Sequence, residues 1–492
     1  MSTFKIRSVK FNLAMNIILR ISGVIFPLIT FPYVARTLLP EGNGKIAFAT
    51  SVINYFSLFA TLGIPTYGIR ACAKNRNDKE KLSKTVFELL LINCVLVIVA
   101  YIILAITIGI IPEFKSNKKI LLIQSSTIIL NMLGVEWFYQ AIEQYEYITI
   151  RNILFKIISL ILMFVLVHSP KDILIYSGIY VVGTVGSNIV NIVRLPQLIF
   201  FDKVRLRFSD LQKHMKPILM LFLYNAATQI YTNLDTVMLG FMCGNVEVGI
   251  YNVAIKIKNV LCSLLTAVGA VTLPRISNYL KEGKEKAFND IVKKSFQLVV
   301  FLAFPIATYF VVESKSTVLV LAGEEYIAAC VPLIIIVTCV IFVGMSGITA
   351  WQMLIPMGRD SATVVAATAG GVIDFSINYV LIPKYGAVGA AIGTLIAEII
   401  VLLIEGYFLK KYIKKAFPVN DFFKVLLGCI IAGACAVFIN KMLKVSPLLE
   451  LMESFVVLTI IFIIIEILLK NEFLYQQILP IIKQIKSKRE GK

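Results

Sequence analysis

The sequence predicts an all-α polytopic membrane protein, with about 14 transmembrane helices in two six-helix lobes and a C-terminal pair. Two observations predict it. Of 492 residues, 58% are hydrophobic, roughly 285 residues, and fourteen spans of about 20 apolar residues each need about 280. Charged residues are only 16% and the mean hydropathy is +0.84, whereas a soluble domain carries about 25% charged residues. A soluble multidomain enzyme is excluded, and roughly 35 residues per helix and connection leave no loop for a further folded domain.

Each segment follows from where the apolar runs break. MSTFKIRSVK leads into apolar residues from Phe11 to Ala35 without a small-residue cleavage site, which reads as an uncleaved first helix. Seven segments fall near 11–36, 46–71, 86–111, 120–142, 153–169, 173–199 and 217–243. Seven more fall near 250–274, 295–313, 326–355, 361–382, 386–409, 422–440 and 449–469. The most polar connections are 74–84, 201–216, 278–294 and 410–421. The second follows helix 6 and the fourth helix 12. This spacing divides the chain into an N-terminal lobe (1–216), a C-terminal lobe (217–415), and helices 13 and 14 with a basic tail (416–492). Six being even, the lobes share one orientation and are related by an axis along the membrane normal. A short echo accompanies the division: GKIAFATSV from Gly44 and GIYNVAIKI from Gly249 each open the second helix of a half.

The net charge of +19, from 48 Lys+Arg against 29 Asp+Glu, would point a soluble protein toward nucleic acid. Here topology absorbs it. With the N-terminus inside, cytoplasmic segments hold 35 of the 48 and outside loops hold 10, leaving Arg20, Lys256 and Lys258 within helices. Both termini are therefore expected to be cytoplasmic, in the inner or cytoplasmic membrane, and no nucleic-acid partner is called for. The eight cysteines show no C-x-x-C spacing, so neither a disulfide framework nor a zinc site is expected.

Polar residues inside the apolar segments are the functional evidence, because a charge at mid-membrane costs about 2.5 to 3.5 kcal/mol and such residues face a cavity or a partner. Helix 1 carries Asn12, Asn16, Arg20 and Gly23 on one face; helix 2 carries Thr50, Asn54, Ser57 and Thr61. Helix 7 carries Asn225, Gln229, Thr232 and Thr236, with Thr228 and Asp235 beside them, and helix 8 carries Asn252, Lys256 and Asn259. The stripes occupy the first two helices of each half, where related bundles could line a shared cleft. Interhelical hydrogen bonding explains the Ser, Thr and Asn residues equally. Arg20 and Lys256 point more firmly to function, since neither has a carboxylate one turn away. Lys258, about 200° round the helix from Lys256, reads as a lysine snorkelling toward the cytoplasmic side.

In helices 11 and 12, GGVIDFSINYV puts Asp374 and Asn378 one turn apart and GAVGAAIGTLIAE brings Thr394 within reach. Oxygen donors from Asp235, Asp374, Asn378 and Thr394 suit a hard cation, and a buried carboxylate equally carries a proton. A glycine-rich packing face with incidental polar residues is the competing reading, and Gly389 with Gly393 has that spacing. Glu398 and Glu405 receive no role. Trp137, Tyr139 and Gln140 are candidates for sugar contact, although an interfacial aromatic belt accounts for Trp137 as well. Enzyme signals are poor: GNGK (42–45) lacks the upstream glycine and the following Ser/Thr of a phosphate-binding loop, and His168 and His214 stand singly.

The runs RISGVIFPLITFPYVARTLLPEGNGKIAFATSVINYFSLFATLGIPTYGIR (20–70), EWFYQAIEQYEYITIRNILFKIISL (136–160) and YTNLDTVMLGFMCGNVEVGIYNVAIKI (231–257) resemble the polysaccharide transport family of the MOP flippase superfamily. The resemblance implies a V-shaped transporter of two six-helix lobes working by alternating access. It implies a cargo of undecaprenyl-diphosphate-linked oligosaccharide, flipped outward for O-antigen, capsule or exopolysaccharide assembly, with membrane lipids, a glycan polymerase and chain-length proteins as partners. Arg20 and Lys256 match two places where related peptidoglycan-precursor flippases present arginines to a diphosphate; helix 2 has no mid-span cation to match a third. Asp235, Asp374, Asn378 and Thr394 resemble those relatives' sodium site with the helix 11 acid and amide exchanged, which leaves Na+ or H+ as the coupling ion. No other cofactor is implied. A multidrug exporter, a lipid II flippase of the same superfamily and a non-transporting scaffold for glycan-assembly enzymes are the alternatives.

Overall fold

Long apolar runs that leave water must satisfy every backbone N–H and C=O within themselves, and the helix does this in one segment. The computed structural model describes residues 7–200, 208–443 and 445–480, without the side chains of 208, 224, 225, 227, 228, 230, 231, 267–271, 274 and 478. Every regular element among the described residues is helical. Eleven of these stretches are long and apolar enough to cross a membrane. Two helices, Val9–Thr61 and Asp360–Phe408, have the length for two crossings each and turn sharply within themselves, at Leu39 (φ 61°) and at Gly386 (φ 53°). Pro40 follows Leu39, where a residue without an N–H and with a helical φ suits the first turn of the new segment.

Burial is arranged inside out. The Pro447–Leu468 helix buries Ser454, Leu458, Phe462 and Glu466, one per turn, and exposes Leu449, Met452, Val456, Ile460 and Ile464. In water that pattern would be reversed; in lipid, apolar side chains belong outside and polar ones find partners within.

The chain forms two compact units, Met1–Gly249 and Ile250–Lys492. In the first, the Val9–Thr61 helix packs against Phe208–Met242, Lys118–Gly134, Tyr145–Leu166 and Lys79–Ile110. Its pairing with Tyr145–Leu166 is parallel and in register: Thr149 Oγ1 donates to Met15 O, Lys156 Nζ to Ser22 Oγ, and Tyr33 OH to Val167 O, all at a separation of 134 residues. Gly44 and Gly249, the glycines of the echo, mark a backbone-to-backbone contact. A Cβ on Gly44 would overlap Asn245 O and one on Gly249 would overlap Pro40 O, each glycine meeting the residue four before the other.

In the second unit, Cys330–Ile348 packs between Glu285–Val312 and Asp360–Phe408. The C-terminal pair, Val419–Met442 and Pro447–Leu468, docks on Glu285–Val312 through polar clamps at its two ends. At one, Glu313 accepts from Ser454 Oγ (2.6 Å) and from Asn440 Nδ2; burial raises its carboxyl above the ordinary value. At the other, Asp421 accepts from Gln297 Nε2 (2.8 Å) and Glu472 N (3.1 Å).

Candidate functional site

The first unit positions its polar stripe mainly on the Val9–Thr61 helix. Arg20 is exposed, and its Nε donates to Asn16 Oδ1, one turn earlier, at 3.4 Å. Asn12, by contrast, is buried and its amide donates to Glu143 Oε2 at 3.4 Å. Asn54 is exposed and donates to Asn233 Oδ1 at 3.2 Å, and Thr50 donates to Gln124 Oε1 at 3.2 Å. Thr50 and Asn54 therefore engage in interhelical bonds, and Asn12 ties its helix to the turn at Glu143. Gln229 is exposed, while its backbone carbonyl accepts from Thr232 Oγ1 and Asn233 Nδ2. Asp235 is buried. The side chains of Asn225 and Thr228 lie outside the described residues.

Two cations that the sequence reading counted as cytoplasmic belong to a membrane helix. Tyr145–Leu166 begins eight residues earlier than the hydropathy edge at 153, because its first two turns are polar yet still helical. Arg151 is buried and held through both terminal nitrogens: Nη1 donates to Ser187 O and Asn188 Oδ1 and Nη2 pairs with Glu136 Oε2, each at 3.2 Å. Lys156 lies five residues further along, half-buried, with Nζ 2.9 Å from Ser22 Oγ. Trp137 and Tyr139 prove to be core residues. Trp137 lies against Gly68, Tyr139 OH donates to Asn191 O at 2.9 Å, and both belong to one buried cluster. The expectation of sugar contact fails for these two.

In the second unit, Asn252 and Lys256 are half-buried, one turn apart on the Asn245–Lys281 helix. Lys258 does not snorkel. Its Nζ pairs with Glu398 Oε1 at 3.4 Å with both side chains largely buried, which gives Glu398 the partner that sequence reasoning could not name across 140 residues. Glu405, two turns on, is buried and accepts from Ser346 Oγ (2.9 Å) and Thr349 Oγ1, the latter at the start of a π-helical stretch, Thr349–Leu354.

Asp374 and Asn378 are fully buried, with Thr394 almost so. Gly393 is what lets them meet the following segment: a Cβ there would overlap Asn378 Oδ1 and lie 3.1 Å from Asp374 Oδ1. Thr394 Oγ1 shares a hydrogen bond with Tyr251 OH at 2.9 Å and donates to Ala390 O at 3.0 Å. Three of the four expected cation residues thus cluster in this unit, and Asp235 belongs to the other. Carboxylate, amide and hydroxyl oxygens are the donor types a hard cation takes, and a buried carboxylate equally carries a proton.

The family model described as polysaccharide biosynthesis protein matches residues 9–280. The chain belongs to this family, the polysaccharide flippases of the MOP superfamily. A second model, MatE, matches residues 221–380 of the flippase. It is 24% identical over 401 residues to a putative O-antigen transporter of Escherichia coli, covering 82% of this chain and 96% of the relative. It is 21% identical over 383 residues to the capsular polysaccharide biosynthesis protein CapF of Staphylococcus aureus, covering 77% and 93%. Among solved structures it is similar in fold to the lipid II flippase MurJ in an inward closed conformation, with a TM-score of 0.73, 16% identity and coverage of 94% and 99%. A multidrug-resistance MATE transporter in an inward-facing conformation gives 0.60, 14%, 82% and 99%. The flippase is a multi-pass membrane protein.

Proposed function

We propose that this flippase carries undecaprenyl-diphosphate-linked oligosaccharide repeat units from the cytoplasmic to the outer face of the cell membrane, by alternating access, for O-antigen, capsule or exopolysaccharide assembly. The observation that carries the reading is the match, over 96% and 93% of their lengths, to relatives named as an O-antigen transporter and a capsular polysaccharide biosynthesis protein. Both termini face the cytoplasm, and a glycan polymerase and chain-length proteins receive the product. Arg20 in the first unit and Lys256 in the second supply cations to the diphosphate, with Asn16, Asn54, Gln229 and Asn252 as polar neighbours. Fixed cations offset the cost of a poorly solvated diphosphate, while the lipid tail stays in the membrane. With the inside negative, outward movement of negative charge is favoured by about 2.3 kcal/mol per charge per 100 mV. Na+ or H+ at Asp374, Asn378 and Thr394, with Asp235 in the same role in the first unit, returns the empty carrier inward.

The MatE match favours a second reading, export of cationic amphiphiles. Such cargo calls for mid-span carboxylates along the polar stripe of the Val9–Thr61 helix, which instead carries Arg20. One experiment separates the two: label undecaprenyl-linked intermediates in cells lacking the protein. Accumulation of a diphosphate-linked oligosaccharide on the cytoplasmic face, relieved by the wild type and not by Arg20→Ala or Lys256→Ala, supports the flippase reading. No accumulation together with raised drug sensitivity replaces it with the exporter.

A further inference from the structure

We propose that Lys156 is a second diphosphate-contacting cation of the first unit, acting beside Arg20 along the face of the first helix that runs from Arg20 to Gly23. The inference rests on the diphosphate-linked cargo argued above and adds a residue that neither the hydropathy pattern nor the charge pattern singled out.

Depth is the first argument. Lys156 is the twelfth residue of the 22-residue Tyr145–Leu166 helix. At 1.5 Å of rise per residue, about 16 Å of helix lies on either side, which puts the residue near the middle of a hydrocarbon layer of about 30 Å. The side chain's surroundings are the second. Its ammonium donates to the neutral Ser22 hydroxyl at 2.9 Å and lies 5.9 Å from the centre of the Phe26 ring, and among the described residues no carboxylate pairs with it. Arg151, on the same helix, shows what a structural cation looks like here: a carboxylate, a carbonyl and an amide oxygen surround it. A Lys–Ser bond joining two helices needs no charge, since a hydroxyl or amide would make it as well without placing a cation at mid-membrane.

Access is the third argument. Gly23 is exposed, and a Cβ there would lie 4.0 Å from Lys156 Nζ, so the missing side chain leaves the ammonium open at that face. Arg20 is exposed three residues earlier on the same side of the helix. The backbone positions of Arg20 and Gly23 differ by about 4.5 Å of rise. Two cations at that stagger suit a diphosphate, whose charge sits on two linked phosphoryl groups.

The test is binding by the purified full-length protein in detergent, with undecaprenyl diphosphate as probe and undecaprenol as neutral control, alongside a thermal melt of each variant. The wild type is expected to prefer the diphosphate. Lys156→Gln should weaken diphosphate binding at least about tenfold while leaving undecaprenol binding and the melting temperature unchanged or raised, and Lys156→Arg should restore most of the affinity. Wild-type affinity in Lys156→Gln overturns this inference and leaves the cargo reading standing. Lost binding with an equal loss for undecaprenol and a lower melting temperature also overturns it, by showing a packing role. A wild type that does not distinguish diphosphate from undecaprenol removes the cargo reading and the inference together.

Discussion

The two units bury different chemistry: of the described charged residues, acids alone in the second and a mixture of acids and cations in the first. Among the described residues of the second, Glu313, Asp374, Glu398, Glu405, Asp421 and Glu466 are all buried, and no Lys or Arg is. Several of these acids are held by neutral donors: Glu313 by Asn440 and Ser454, Glu405 by Ser346 and Thr349, Asp421 by Gln297, Glu466 by Asn471. The first unit buries Arg151 with Glu88, Asp235 and His214, and presents Arg20 and Lys156 in membrane helices with neutral partners alone. The difference bears on the function proposed above: on that reading an anionic cargo would find its cations chiefly in the first unit, and a coupling cation its carboxylate in the second.

The comparison breaks or sharpens under substitution. Charge reversal at the exposed mid-span cation is expected to be the most damaging: Arg20→Glu should lower outward delivery of the labelled repeat unit by about a thousandfold, at wild-type protein levels in the membrane. Near-normal delivery would break the assignment of cations to cargo. Arg151→Met should act on stability instead. Leaving Glu136, Asn188 and a carbonyl without their donor costs about 3 kcal/mol, read as a lower melting temperature, with transport per folded molecule preserved. If transport fell without a change in melting, Arg151 would join the cargo cations.

The double variant Asp235→Asn with Asp374→Asn, one acid from each unit, should lose the response of flux to a Na+ or pH gradient, with flux itself down about tenfold. Full activity that is as ion-responsive as the wild type would remove the coupling role. Glu405→Gln should cost no more than about 1 kcal/mol, because an amide oxygen accepts from Ser346 and Thr349 nearly as well as a carboxylate. A larger melting shift would show that the charge itself is needed.

The smallest effect is expected at the polar start of a helix. Asp78 caps the Lys79–Ile110 helix, and the side chain of Lys81, aided by its backbone N–H, holds the Asp78 carboxyl below the usual range. Its stabilising contribution is present above the ordinary carboxylate pKa and is lost as pH falls through the lowered folded value. Asp78→Asn should therefore lower the melting temperature slightly near neutrality and leave it unchanged in acid, which flattens the acid side of the profile.

Helical class and membrane residence were legible because they depend on local sums: apolar runs long enough to span, basic residues gathered between them, polar residues spaced by turns. The pairing of Asp374 with Asn378 was legible for the same reason, since one turn of helix joins them. Arg20 and Lys256 stood out as isolated charges in apolar surroundings.

Other features required distant residues to meet. Hydropathy began the fifth segment at 153, so the polar turns before it looked like a loop and Lys156, three residues inside the edge, was tallied with that loop until packing against Met15 and Ser22 showed one continuous helix. Lys258 resembled a snorkelling residue until Glu398 lay beside it, and Trp137 resembled a belt residue until Gly68 received it. The sequence alone determined which segments leave water, because transfer free energy accumulates residue by residue along the chain. Only the tertiary structure decided which buried charges are neutralised, because that depends on which helices pack together, as Lys258 meets Glu398 across 140 positions.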